Sequence, residues 1–172
     1  MNIKFLISFF LLTYTAPCFS DTYYAGVDYA MPDIKVSGES AKPAATAVRF
    51  GASNNNMAFE LQYLTSNETD NIYNLEFDLK QSAGLYFVAQ SDIRDGFGIN
   101  VSLGYSMNEM DVSGPSSTYN GTDHYDGFSW RIAAHQQIPY LEQAQIRLAY
   151  QSLYKDSNIE ISGFSLGITY QF

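Results

Sequence analysis

The chain has 172 residues, with 9 basic and 18 acidic side chains, a net charge of −9 and a single cysteine, Cys18. This length suits one domain. The acidic balance argues against a nucleic-acid partner, because binding to phosphate backbones needs a basic surface.

The first 20 residues have the form of a secretory signal peptide. Lys4 precedes an apolar core, residues 5–12, and a more polar stretch ends at Ser20 with small side chains suited to cleavage. The apolar core is shorter than the roughly 20 residues that a membrane helix needs, so an uncleaved anchor is disfavoured. We expect cleavage to remove residues 1–20, and with them the cysteine, leaving residues 21–172 as one domain.

The remaining chain alternates large apolar residues with small or polar ones, the pattern of a strand with two different faces. The alternation is strictest at the C-terminus, where Phe164, Leu166, Ile168, Tyr170 and Phe172 are separated by Ser, Gly, Thr and Gln. It predicts eight strands. In one of them the alternating apolar side chains stay at odd-numbered positions, without a change of parity, from residue 73 to 89. The eight lie near residues 23–31, 47–51, 59–64, 73–89, 97–107, 128–135, 144–151 and 164–172.

The connections between these strands alternate between short and longer segments. Residues 53–56, 91–96 and 137–143 are short and turn-like, whereas residues 31–44, 66–71, 108–126 and 154–158 are polar loops on the opposite side. An even number of strands then places both termini on the short-turn side. This arrangement is typical of outer-membrane barrels, which have short periplasmic turns and longer extracellular loops.

The faces of the strands separate a membrane barrel from a soluble one. The non-aromatic face carries many glycines and serines, which suit a narrow lumen better than a solvated surface. The aromatic residues fall at two heights, as at the two interfaces of a membrane. We therefore predict an all-β fold, an eight-stranded antiparallel up-and-down transmembrane β-barrel. A soluble periplasmic, lipocalin-like carrier with its aromatic residues inside is the alternative.

The chain resembles the small eight-stranded outer-membrane barrels of the OmpA/OmpX-like family. The resemblance rests on the signal peptide, the opening strand at 23–29, the strand at 97–105 and the closing residues 167–172. It implies the outer membrane of a Gram-negative bacterium with both termini periplasmic, surrounded by lipid and lipopolysaccharide. It also implies that Tyr170 and Phe172 form the signal read by the barrel-insertion machinery.

Polar side chains on the lumen-facing parity predict a buried polar network. Three arginines and two carboxylates can neutralise one another there, as buried charges must. The network favours a plug that stabilises the barrel, with a narrow ion or solute channel as the alternative. Its predicted members are Asp28, Arg49, Glu60, Arg131, His135 and Arg147.

The sequence offers no catalytic, cofactor or metal motif. His124, flanked by carboxylates, is interpreted as a solvated loop residue, so a lipid-modifying enzyme remains only an alternative. We expect a non-enzymatic, monomeric protein that supports envelope integrity or adhesion, contacting a host or surface protein through its loops. The long fourth strand is predicted to project as an edge for pairing with a partner, presenting Tyr73, Leu75, Phe77 and Leu79. The equal alternative is that this face packs on the third loop.

Overall fold

The structure is a computed structural model that describes residues 22–36, 39–67, 69–72, 75–113 and 121–172. The predicted signal peptide lies outside the described residues. No helix in these ranges is long and apolar enough to cross a membrane. The described strands are β1 Thr22–Val36, β2 Glu39–Ala41, β3 Ala45–Asn54, β4 Met57–Ser66, β5 Asp70–Ile72, β6 Leu75–Gln90, β7 Phe97–Ser113, β8 Gly121–Ile138, β9 Leu141–Lys155 and β10 Ile159–Gln171.

Eight of these strands form one closed antiparallel barrel, which confirms the predicted fold. Each barrel strand pairs with its neighbours in chain order, and β10 pairs back onto β1 to close the sheet. The closure runs from Tyr24, opposite Gln171, to Val36, opposite Ile159. Closing the sheet removes the unpaired edges that an open sheet would leave in lipid. The short strands β2 and β5 pair with β1 and β6 beyond the ends of β3 and β4, at the loop end of the sheet.

The two ends of the barrel differ in their connections. One end, the turn rim, holds residues 55–56, 91–96 and 139–140, the start of β1 and the C-terminus. Its tight turns use left-handed backbone at Asn55 (φ 52°), Gly96 (φ 79°) and Tyr140 (φ 67°), as two-residue hairpin turns require. The other end, the loop rim, carries the connections that follow β1, β4, β7 and β9.

The outer surface of the barrel is apolar, as the alternation predicts. Val27, Phe59, Leu103 and Phe128 are between 51% and 65% exposed. Outward aromatic rings also contact one another: the Trp130 and Tyr150 centroids are 5.7 Å apart. A band of this kind is stable only against lipid. The alternative of a soluble carrier with its aromatic residues inside is therefore wrong.

The strands at the loop rim are longer than the sequence analysis expected. Residues 108–113 and 121–126, interpreted above as loop, continue β7 and β8 as a paired hairpin. The unbroken parity of residues 73–89 is also wrong, because β6 has a bulge between Asp78 and Gln81. A bulge adds one residue to a strand and turns the following side chains to the other face. Because β7 and β8 stay paired over residues 108–112 and 121–125, their hairpin extends beyond the apolar band.

Candidate functional site

A cluster of five ionised side chains fills the centre of the lumen. We name it the central charge cluster: Asp28, Arg49, Glu60, Arg131 and Arg147, each at most 4% exposed. Arg49 holds Asp28 with two hydrogen bonds, Nε to Oδ2 at 2.7 Å and Nη2 to Oδ1 at 3.0 Å. Its third nitrogen, Nη1, donates to Glu60 Oε2 at 3.1 Å. Arg131 Nη2 donates to the other oxygen of Glu60, and Arg147 Nη1 donates to Asp28 at 2.8 Å.

Neutral side chains complete the hydrogen bonding of this cluster. The Tyr24 hydroxyl donates to Glu60 Oε2 at 3.0 Å, and Thr169 Oγ1 accepts from Arg49 at 2.9 Å. Gln62 Oε1 accepts from Arg131 Nη1 at 2.5 Å. The sequence analysis missed Tyr24 and Thr169 as partners, although Tyr24 lies on the lumen-facing parity of β1. With two carboxylates each bridging two arginines, the cluster crosslinks distant strands of the barrel.

Glycines make room for the large side chains of the lumen. A large inward residue lies directly opposite a glycine on the neighbouring strand, and a Cβ at that glycine would collide with the side chain. A narrow eight-stranded barrel can therefore hold long polar groups without widening. The pairs are Gly26 with Arg49, Gly51 with Tyr24, Gly98 with His135, Gly104 with Tyr86 and Gly167 with Asp28.

His135 lies opposite Arg147 but shares no side-chain hydrogen bond with the other predicted network residues among the described contacts. Its ring lies against Gly98, and its Nδ1 is buried without a hydrogen-bond partner among the described residues. It lines a polar cavity of about 310 Å³ at the turn rim, together with Asn100, Gln145 and Gln171. The lumen thus has a cavity at one end and the central charge cluster above it.

An apolar cluster fills the lumen and the projecting hairpins towards the loop rim. Its members are almost fully buried, from 0% to 1% exposed. Buried polar side chains lie beside it: Asn108 hydrogen-bonds Ser82 and Ser106, and the Ser106 hydroxyl donates to the Leu153 carbonyl. The apolar side chains and these paired polar groups together occupy this part of the lumen. We call the apolar cluster the apolar plug: Ala30, Ile34, Ala41, Ala45, Ala47, Leu64, Leu79, Met110, Leu153 and Ile161.

The loop rim is acidic, and its charges form local ion pairs. Lys80 Nζ lies 3.2 Å from Glu109 and 3.3 Å from Asp111. Hydrogen bonds from Gln81 and Lys80 lower the pKa of Glu109, and a hydrogen bond from Thr122 lowers the pKa of Asp111. In the sequence after residue 30, the segments that form or flank this rim contain twelve acidic residues and four lysines. It therefore carries an excess of negative charge.

The predicted partner edge is only partly described. Tyr73 lies outside the described residues, and the structure gives no side-chain placement for Leu75 or Phe77. Leu79 is 0% exposed and belongs to the apolar plug, because the bulge in β6 turns it inward. Leu79 was therefore wrongly assigned to an exposed binding face. The backbone at 76–78 pairs with β7 and the backbone at 75–77 pairs with β5, so this stretch of β6 is paired on both sides and is not a free edge.

The other predicted positions lie at the surface. His124 is exposed on β8, opposite Glu109 on β7, rather than in a loop. Among the described residues, no three His, Cys, Asp or Glu side chains are grouped as a metal site. Tyr170 and Phe172 face outward, 44% and 68% exposed, where another protein could contact them.

These features agree with the comparison with known families. The model of the outer membrane protein beta-barrel domain matches residues 6–172. The chain belongs to this family. A search of the curated proteins found no match.

Solved structures show the same fold. Ail, the attachment invasion locus protein of Yersinia pestis, superposes with a TM-score of 0.67 at 12% identity, covering 90% of this chain and 100% of Ail. Neisserial surface protein A gives 0.65 at 17% identity, with coverages of 87% and 97%. The β-barrel domain of Pseudomonas aeruginosa OprF gives 0.58 at 10% identity, with coverages of 87% and 97%. At these identities the likeness concerns the fold alone.

Proposed function

We propose that this outer-membrane barrel is a non-enzymatic surface protein that acts through its loop rim, in adhesion or in maintaining the envelope. The observation that carries the proposal is the filled lumen. The central charge cluster and the apolar plug occupy successive layers, so the projecting hairpins of the loop rim are the surface left for recognition. In this proposal the turn rim and both termini face the periplasm, and the barrel works as a monomer.

The charge of the loop rim suggests the chemistry of its partner. Ail was solved in complex with the heparin analogue sucrose octasulfate, a polyanion. The acidic rim of this chain would repel such a ligand, so we propose a cationic protein surface or a divalent cation bridging to lipopolysaccharide. The half-buried, ion-paired Glu109 and Asp111, with the exposed Asp123 on the adjacent strand, are the carboxylates placed for it.

The test compares bacteria that display different variants. Neutralising the loop rim with Glu109→Gln, Asp111→Asn and Asp123→Asn should reduce adhesion to host cells or matrix severalfold. The matched control neutralises three exposed acidic residues at the turn rim, Asp92→Asn, Asp95→Asn and Glu142→Gln, and should leave adhesion unchanged. Equal adhesion by both triple variants, at equal surface expression, would contradict a role for the acidic rim.

A further inference from the structure

The charges of the central charge cluster do not balance. Arg49, Arg131 and Arg147 face only two carboxylates, Asp28 and Glu60, and these are the only buried carboxylates among the described residues. The cluster therefore carries a net charge of one positive unit with His135 neutral. A buried charge without a counter-charge is strongly unfavourable, so such a site attracts an anion.

Arg147 is the arginine whose hydrogen bonds are least complete. Its Nη1 donates to Asp28 at 2.8 Å, but its Nη2 is buried and has no partner among the described residues. Arg147 lies two residues from Gln145 on β9 and directly opposite His135 on β8. Both neighbours line the turn-rim cavity. The excess positive charge therefore lies next to a polar space.

The cavity itself offers further unpaired polar groups. Gln145 and His135 are 5% and 6% exposed, and Gln145 Nε2 and His135 Nδ1 are both buried without partners among the described residues. An amide nitrogen donates hydrogen bonds, and the imidazole Nδ1 donates when it carries the proton. Arg147 lies behind this lining, next to both residues, so its Nη2 and the two lining groups can supply several N–H donors to one ligand.

We propose that the turn-rim cavity binds a small inorganic anion beside Arg147, held by the Gln145 amide and the His135 ring. Chloride and phosphate share the required chemistry, and the cavity of about 310 Å³ has room for water beside either ion. The anion would neutralise the central charge cluster from the turn rim. This site is independent of the loop rim and of the adhesion proposed above.

The test uses the folded barrel in a detergent with an uncharged headgroup. Sodium chloride or sodium phosphate replaces sodium gluconate at constant ionic strength, while NMR follows the Gln145 side-chain amide and the Arg147 Nε–H. We expect one salt, or both, to shift these signals saturably. If chloride saturates the shift and phosphate does not, the site takes a halide; the reverse result identifies an oxyanion site.

Two variants separate a site from a general salt effect. Gln145→Glu places a carboxylate in the cavity and should abolish the saturable shift of Arg147, whereas Gln136→Glu, which adds the same charge on the outward face of β8, should preserve it. If Gln145→Glu does not fold, Gln145→Leu removes the donor without adding charge and should weaken binding about tenfold. Linear drifts without saturation in the unmodified protein, with both salts, would overturn the proposal.

Discussion

Replacing Glu60 with glutamine should strongly destabilise the barrel. Glu60 accepts hydrogen bonds from Arg49, Arg131 and Tyr24, while being only 3% exposed. The carboxamide of Glu60→Gln keeps one acceptor oxygen and turns an NH₂ group towards a donor. The change also raises the net charge of the central charge cluster from one positive unit to two.

The magnitude follows from the loss of one partner in a buried ion pair, which costs about 3–5 kcal/mol because the other charge stays buried. Urea unfolding of the barrel in lipid vesicles, followed by the fluorescence of Trp130, gives the free energy of unfolding by linear extrapolation. We expect Glu60→Gln to lower this free energy within that range. The double variant Glu60→Gln with Arg131→Met should recover part of the loss, because it removes the arginine that Glu60 neutralised.

Glu142→Gln is the matched control, since it makes the same chemical change at an exposed position of the turn rim. Its free energy of unfolding should stay within about 0.5 kcal/mol of the unmodified protein. If Glu60→Gln also changes the free energy of unfolding by less than about 1 kcal/mol, the reasoning fails. Water would then solvate the arginines, and the central charge cluster would not crosslink the barrel.

Three further results are expected. Gly51→Val should prevent folding because its side chain would collide with Tyr24, whereas Gly121→Val, with nothing within 4 Å of its Cβ, should fold normally by the heat-dependent mobility shift in gels. Backbone hydrogen bonds lower the pKa of Asp156, so its turn should be ordered above about pH 4 and loosen as the pH falls through that lowered pKa, which NMR order parameters of the turn would show; constant order down to pH 2 would contradict this. Planar-bilayer recordings should show no steady conductance, and a stable open level would refute the filled lumen.

Which side chains of a strand point inward was predictable, because lipid selects apolar side chains and the lumen selects small or polar ones, and the two alternate along the strand. The parity of β4 alone placed Glu60 inside the barrel. The partners within the lumen were not predictable in the same way. Arg147 and Asp28 are 119 residues apart in the chain, and their contact depends on barrel closure and register, which no local pattern encodes.

The bulges and the position of His135 show a second limit. One bulge in β6 reverses the direction of Leu79, and a single-residue shift of this kind leaves no periodic signal. His135 shares its parity with Arg131, so the sequence grouped them. The structure separates them because His135 lies four residues further along β8 than Arg131, beside the turn-rim cavity rather than within the central charge cluster.

The projecting hairpins, in contrast, did carry a sequence signal. Along β7 the outward side chains are apolar up to Met107 and become acidic at Glu109 and Asp111, while the inward side chains change from Ser106 and Asn108 to the buried Met110. This exchange of apolar and polar side chains between the outer and inner faces marks the height at which the lipid outside the barrel gives way to water.

The same inversion occurs on β1, where the outward Met31 is followed by Asp33 and Lys35 while Ile34 is buried inside. From Phe97 to Met107 the outward apolar stretch of β7 is about 34 Å long at a rise of roughly 3.4 Å per residue. A strand tilt of about 45° reduces this length to an apolar band roughly 24 Å tall, close to the ≈ 25 Å of outer-membrane barrels. The amino-acid pattern thus records the thickness of the membrane. It also records the height above which the apolar side chains of the strands face the apolar plug inside the barrel instead of the lipid outside it.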